Sequence, residues 1–253
     1  MTWSEYDPRY DLPTYISSPR TYLIATTQRT GSHFLAHLLG ASGVIGVPFE
    51  YLNGYRSLLE LERRGEHSSE RTQLALLEEM KSRRTGRSGW FGIKAHWHTW
   101  SAVLAQPLLA AQVQPEVMIH LTRQNRVAQA ASLVLAEQTG WWVDESQSTS
   151  AEPNYSAERI RQALAKIDGE TDAWRRYLAG QPCLMLTYEA VRSDPHAAVS
   201  AVFAALGVDD PDRSNIGFPS PKPREDNIVE QWAERFSRTL DAEVPIPRDG
   251  GPD

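Results

Sequence analysis

The sequence predicts an α/β fold in which a central parallel sheet is flanked by helices. Three observations lead there. Short, continuously apolar runs recur along the chain, helical patterns separate them, and charged residues stand at or just past the ends of the runs. Runs that are apolar throughout suit strands buried on both faces, as in parallel sheets. Strands that alternate with helices imply a doubly wound arrangement, with ligands beyond the carboxyl ends of the strands.

The elements follow in order. The first strand is TYLIAT (21–26), and a helical pattern over 31–41 follows the turn TQRTGSH. Helical patterning returns over 57–84, in two pieces around RRGEH. GWFGIKA (89–95) is the second strand and 100–112 the next helix. VMIHLT (117–122) is the third strand, before a helix at 125–139. The polar stretch DESQSTSAEPN (144–154) reads as a loop or lid. A helix over 156–179 leads to the fourth strand, CLMLTY (183–188), and 195–206 is again helical. There is no internal repeat. The expected organisation is one domain over 1–253, with an N-terminal extension (1–19) and a flexible tail (242–253).

Composition narrows the function. The chain has 253 residues, long enough to bury a sizeable core. A formal charge of −6 argues against general nucleic-acid binding, while a local basic pocket stays open to a single anionic ligand. Cys183 is the only cysteine, which excludes a disulfide framework and a cysteine-based metal site. No signal sequence or membrane-spanning run is read, so the expected location is the cytoplasm.

Chemistry concentrates at the strand ends. Arg29, Lys94 and Arg123 all fall at or just past a predicted strand. Three unpaired cations on one rim are costly, and an anionic ligand resolves the cost. Thr30 to His33 offer backbone N–H groups at a helix N-terminus, with hydroxyls on Thr30 and Ser32, which suits a phosphate or sulfate. In HLTRQNRVAQAAS (120–132), Arg123 ends a strand and Ser132 lies on the next helix, a spacing that supports a second, separate anion. Two anion sites on one rim point to a nucleotide with phosphates at both ends.

TTQRTGSHFL, PFE (48–50), FGIKAHW (91–97), HLTRQNRVAQAAS and LTYEAVRSDP (186–195) together resemble a sulfotransferase, with the Stf0 family of trehalose 2-sulfotransferases the best match. That resemblance implies a P-loop-like three-layer sandwich with four to five parallel strands. It also implies an enzyme using 3′-phosphoadenosine 5′-phosphosulfate (PAPS) without a metal. Carried over, Gln28, Arg29, Thr30, Gly31, Ser32 and His33 form the 5′-phosphosulfate loop, and Arg123 and Ser132 hold the 3′-phosphate. Tyr188 contacts adenine, and Lys222 and Arg224 close over the donor. His33 departs from the Thr or Ser more usual in related loops.

The resemblance offers two bases for the acceptor hydroxyl: Glu50 first, from the trehalose-type pattern, and His96 second, from the Lys-x-His pattern of cytosolic enzymes. Lys94 and Arg29 would stabilise charge on the departing phosphate. Tyr51, Trp97, Trp100, Trp141 and Trp142 lie near the rim and suit the apolar faces of sugar rings. The expected acceptor is therefore a small-molecule hydroxyl on a carbohydrate, glycolipid or glycosylated natural product. Trehalose-type relatives are dimers, so a homodimer is the corresponding expectation. The rivals are a P-loop-type small-molecule kinase and a non-catalytic nucleotide- or sugar-binding relative. The kinase needs a Gly-Lys-[Ser/Thr] loop that this chain lacks.

Overall fold

The computed structural model describes residues 4–142, 152–209 and 227–243. Among them, four strands form one sheet: β1 (Arg20–Thr26), β2 (Trp90–His96), β3 (Val117–Thr122) and β4 (Cys183–Thr187). They lie in the order β2-β1-β3-β4 and every pairing is parallel. An isolated parallel bridge between Phe49 and Ile93 brings the segment before Glu50 alongside the outer edge of β2.

The helices between β1 and β2 are α1 (Ser32–Gly40), α2 (Gly54–Arg63) and α3 (Glu70–Arg84). Those between β2 and β3 are α4 (Trp97–Leu104) and α5 (Pro107–Gln112), and β3 leads into α6 (Arg126–Thr139). Then come α7 (Ala157–Leu178), and after β4 the helices α8 (Tyr188–Ser193), α9 (Pro195–Ala205) and α10 (Ile228–Glu243). Local chemistry sets many of these ends. A capping box of Ser69 and Thr72 opens α3, and Asn125 caps α6 by accepting from Ala128 N–H. Gly140, left-handed at φ 70°, closes α6.

Two elements differ from expectation. The single helix predicted over 100–112 is divided, because Pro107 has no N–H to continue α4 and instead starts α5. Tyr188, predicted to end the fourth strand, is the first residue of α8, whose N-cap is Thr187. The short α8 has no apolar periodicity long enough to announce it.

The core has three parts. One packs Leu23, Ala25, Phe91 and Ile93 on one face of the sheet against Trp100 and Trp174. The other face packs Ile24, Ile119 and Leu121 against Leu35, Val199 and Phe203. A third lies among α6, α7 and α10, through Leu133, Ile167 and Phe236. This is a central parallel sheet between helical layers, the three-layer α/β sandwich that the alternation of runs predicts.

The topology also fixes where a ligand can enter. The connection from β1 runs to β2 on one side, while β3 continues to β4 on the other. The crevice of such a sheet therefore opens between the ends of β1 and β3. The end of β1 is held from below by Trp174, which is fully buried on α7 and donates from Nε1 to the Thr26 carbonyl at 2.8 Å. Trp174→Ala should destabilise the fold by about 3–5 kcal/mol. Trp174→Phe, which keeps most of the volume and loses the hydrogen bond, should cost only about 1–3 kcal/mol in urea denaturation.

Candidate active site

The turn after β1 is built on two left-handed residues. Arg29 has φ 64° and Gly31 φ 73°. At Gly31 a Cβ would stand 2.4 Å from Cδ2 of Tyr188, so any side chain there must displace that ring. Between them Thr30 is buried, and its hydroxyl bonds to Thr26 Oγ1 at 2.5 Å and the Thr27 carbonyl at 3.1 Å. That hydroxyl therefore shapes the turn from inside. Gln129, buried on α6, donates from Nε2 to Thr27 Oγ1 (2.9 Å) and the Gln28 carbonyl (2.6 Å). Lys166 Nζ donates to Gln28 Oε1 at 2.9 Å. The result is a rigid loop running into α1, with Ser32 as its first helical residue.

Arg29 and Ser132, assigned by resemblance to opposite ends of a donor, meet directly. Arg29 Nε donates to Ser132 Oγ at 2.9 Å, and Nη1 to the Trp142 carbonyl at 2.7 Å. Arg123 joins them by donating from Nη1 to the Arg29 carbonyl at 3.2 Å. Its guanidinium lies 4.6 Å from the centre of the Tyr188 ring. Burial weighs against the charge of Arg123, and its Nε is buried with no hydrogen-bond partner among the described residues. Glu189 supports this corner, its carboxylate accepting from the N–H groups of Gln124 and Asn125 at 3.0–3.2 Å. Burial raises its pKa, but those backbone donors prevail and hold it below the usual range.

A second group gathers at the end of β2. Glu50 Oε1 lies 2.8 Å from Lys94 Nζ and 3.2 Å from His96 Nε2. Glu50 Oε2 accepts from Asn53 Nδ2 at 3.1 Å and lies 4.0 Å from Arg56 Nε. Glu50, Lys94 and His96 are all buried. Burial pushes the Glu50 carboxyl up, but Lys94, His96 and Arg56 outweigh it and hold the group well below the ordinary carboxylate range. Among the described residues Nδ1 of His96 is buried without a partner. The three residues predicted as separate catalytic candidates are thus one hydrogen-bonded cluster.

His33 lies between the two groups. Its ring stacks on Phe49 at 5.6 Å, and its Nε2 is 2.7 Å from Nε2 of His37. Burial and the charge of Lys94 hold His33 well below the usual imidazole value, and His37 is lowered to about 4. Both rings are neutral at pH 7.

The aromatic residues separate into two kinds. Tyr51 and Trp100 are core residues: Tyr51 is buried, stacks on Phe91 at 5.6 Å and donates to the Val47 carbonyl at 2.7 Å. Burial removes both from an acceptor surface, contrary to the sequence expectation. Trp97, Trp141 and Trp142 are half-buried. Lys222, Arg224 and most of the 144–154 stretch lie outside the described residues. Gln129, Asn53, Arg56 and Lys166 went unread in the sequence. Only Gln129 carried a signal, as a polar residue three positions before Ser132 among the apolar residues 127–136.

Among the described residues no group of three His, Cys, Asp or Glu is placed to hold a metal ion, and no helix is long and apolar enough to cross a membrane. With this geometry in hand, the family description of the Stf0 sulphotransferases matches residues 21–239. The chain belongs to that family. It is a sulfotransferase. No curated protein matches it. Similar solved structures include a sulfotransferase from Alicyclobacillus acidocaldarius, at 14% identity and TM-score 0.49, covering 89% of this chain and 94% of the other. The sulfotransferase domain of the curacin biosynthetic pathway is 14% identical at TM-score 0.43, covering 90% and 99%. Mouse SULT7A1 complexed with PAP is 14% identical at TM-score 0.47, covering 92% and 69%.

The turn of this sulfotransferase tolerates little change. Gly31→Ala meets both the left-handed backbone and the Tyr188 ring, and should cost about 1–3 kcal/mol in chemical denaturation. Gly65→Ala, at a φ of 74° but with nothing near its Cβ, should cost only the left-handed backbone strain, so the excess loss in Gly31→Ala over it measures the Tyr188 clash.

Proposed function

We propose that this enzyme moves the sulfuryl group of PAPS to a hydroxyl of a small, carbohydrate-containing acceptor, with His96 as the base and Glu50 holding it in place. The observation that carries the donor assignment is Arg123. A guanidinium nitrogen buried without a partner among the described residues, at the mouth of the β1–β3 crevice, is expensive unless an anion completes it. Arg123, with Ser132 reached through Arg29, would hold the 3′-phosphate, and Gln28 to His33 the 5′ end, where the N-terminus of α1 favours negative charge. The Tyr188 ring, pressed against Gly31 and facing Arg123, would border the adenine. When bound, PAPS supplies a sulfuryl group attached to a phosphate leaving group, so the protein has chiefly to position charge and remove one proton.

The proton is assigned by what each atom of the cluster is already doing. Both carboxylate oxygens of Glu50 accept hydrogen bonds, and its depressed pKa makes it a weak base. His96 Nδ1 is the unpartnered acceptor, and Glu50 Oε1 fixes the ring by accepting from Nε2. This reverses the order in which the resemblance ranks the two residues. Lys94 balances the Glu50 charge and stands ready to stabilise negative charge on the transferring group. Half-buried Trp97, next in the chain to His96, offers an aromatic face for a sugar ring.

Calorimetry with 3′-phosphoadenosine 5′-phosphate should give affinity about 10–100-fold tighter than ADP, and Arg123→Ala should remove that preference. A preference for ADP or magnesium–ATP would overturn the donor assignment. PAPS turnover with trehalose, glucose and an aryl glucoside as acceptors should fall about 10²–10⁴-fold in His96→Asn. Turnover retained in His96→Asn but abolished in Glu50→Gln would make Glu50 the base.

A further inference from the structure

A buried carboxylate outside the family-matched region reaches the catalytic cluster. Glu5 precedes β1, and residues 21–239 are those the family description covers. Its relative exposure is 2%. The segment around it is fastened firmly: Tyr6 Oη donates to the Tyr51 carbonyl at 3.3 Å and lies 3.1 Å from Ser57 Oγ. Arg84 Nη2 donates to the carbonyls of Glu5 and Asp7, and Asp11 pairs with Arg83 and Arg84. These contacts deliver the Glu5 side chain to Arg56 on α2, with Nη1 3.0 Å from Glu5 Oε2. Arg56 in turn stands 4.0 Å from Glu50, which holds His96 at 3.2 Å.

A carboxylate buried this deeply is a poor source of stability, because desolvation offsets most of the attraction of its partner. Its placement does have a consequence for Glu50. Arg56 faces two carboxylates and is closer to Glu5 than to Glu50. If Glu5 were uncharged, the guanidinium would close on Glu50 Oε2, which already accepts from Asn53. Glu50 would then carry less charge toward His96.

We propose that Glu5 is a positioning residue: by holding Arg56 away from Glu50, it preserves the carboxylate charge that orients and strengthens His96. This rests on the reading of Glu50 and His96 as one catalytic pair. The charged groups facing Glu5 are Arg56 from α2, Glu50 from the segment before it, Lys94 from β2 and Arg84 from α3 at the Glu5 backbone carbonyl. Burial raises the Glu5 carboxyl to about 7, with Glu50 adding to it and Arg56 and Lys94 opposing. The sign follows directly. Above about pH 7 Glu5 is ionised and restrains Arg56, and below it the restraint is lost.

The test uses the ligand-free full chain with ¹⁵N-labelled histidine, alongside PAPS hydrolysis to PAP as the activity readout. In wild type, the His96 ring ¹⁵N signals should show a step at about pH 7 that tracks Glu5. That step should be missing in Glu5→Gln and present in Glu5→Asp. In Glu5→Gln, kcat should fall about tenfold, with KM for PAPS unchanged. A merely structural ion pair would move thermal stability and leave the His96 signals and the KM-against-kcat split alone. A wild-type chain with no His96 step, or a Glu5→Gln chain that keeps it, overturns the proposal. If the step is present and depends on Glu5 while PAPS is neither bound nor hydrolysed, Glu5 is confirmed as positioning the pair, and the donor reading is the one that fails.

Discussion

The left-handed turn that carries the chain from β1 into α1 is the constraint around which the rest of the site is organised. Two of its residues have positive φ, and one of them, Arg29, has a side chain that disfavours this conformation. Such a turn persists only when its surroundings over-determine it. Here Thr30 bonds it from within, Gln129 from α6, Trp174 from α7 and Arg123 from the end of β3. What the turn provides is a set of helix-opening N–H groups at the switch point of a parallel sheet. A helix N-terminus there attracts anions through unpaired donors and the helix dipole together.

Beside this loop, at the end of β2, the protein buries charge instead of dispersing it. Glu50 accepts from Lys94 and His96 on one oxygen and from Asn53 on the other, with Arg56 close by. An arrangement of this kind contributes little net stability, because desolvation consumes the gain. It does fix side-chain geometry tightly, and it leaves a single imidazole nitrogen unsatisfied. A site that must remove one proton from a neutral hydroxyl needs that combination of rigidity and one open acceptor.

The two groups stand at neighbouring strand ends on the same rim of the sheet, and the His33 ring stacks on Phe49, the residue before Glu50. This neutral ring carries no charge into a region where Lys94 and Arg29 already supply it. The histidine found where related loops more often have a hydroxyl residue is paired to a second histidine one helical turn later. That pairing accounts for its tolerance in a buried position, since each ring gives the other a partner.

The order of the strands and of the longer helices between them, the loop, and the placing of Arg29, Lys94 and Arg123 at or near strand ends were legible in the sequence, while the short α8 was not. Apolar runs, helical periodicity and glycine placement are local properties, and a parallel α/β topology sends every strand end to one side. The division of the 100–112 helix was missed, because the periodicity runs through Pro107 as if through one helix. Partnership was not legible. Arg29 and Ser132 are 103 residues apart, and which of two hydrogen-bonding groups a guanidinium takes depends on the approach of α6 to the turn. The gathering of Glu50, Lys94 and His96 into one cluster, and the arrival of Glu5 behind it, depend on how the segment before α2 runs along β2. Tyr51 shows the converse, an aromatic residue whose neighbours in sequence lie at the rim while its own side chain turns inward. The sequence by itself determined the scaffold and the kinds of group available, because these follow from local pattern. Only the tertiary structure decided which charges are paired and which buried nitrogens, among them Arg123 Nε and His96 Nδ1, are left open among the described residues, because burial and distance, not residue type, set the state of a charged side chain.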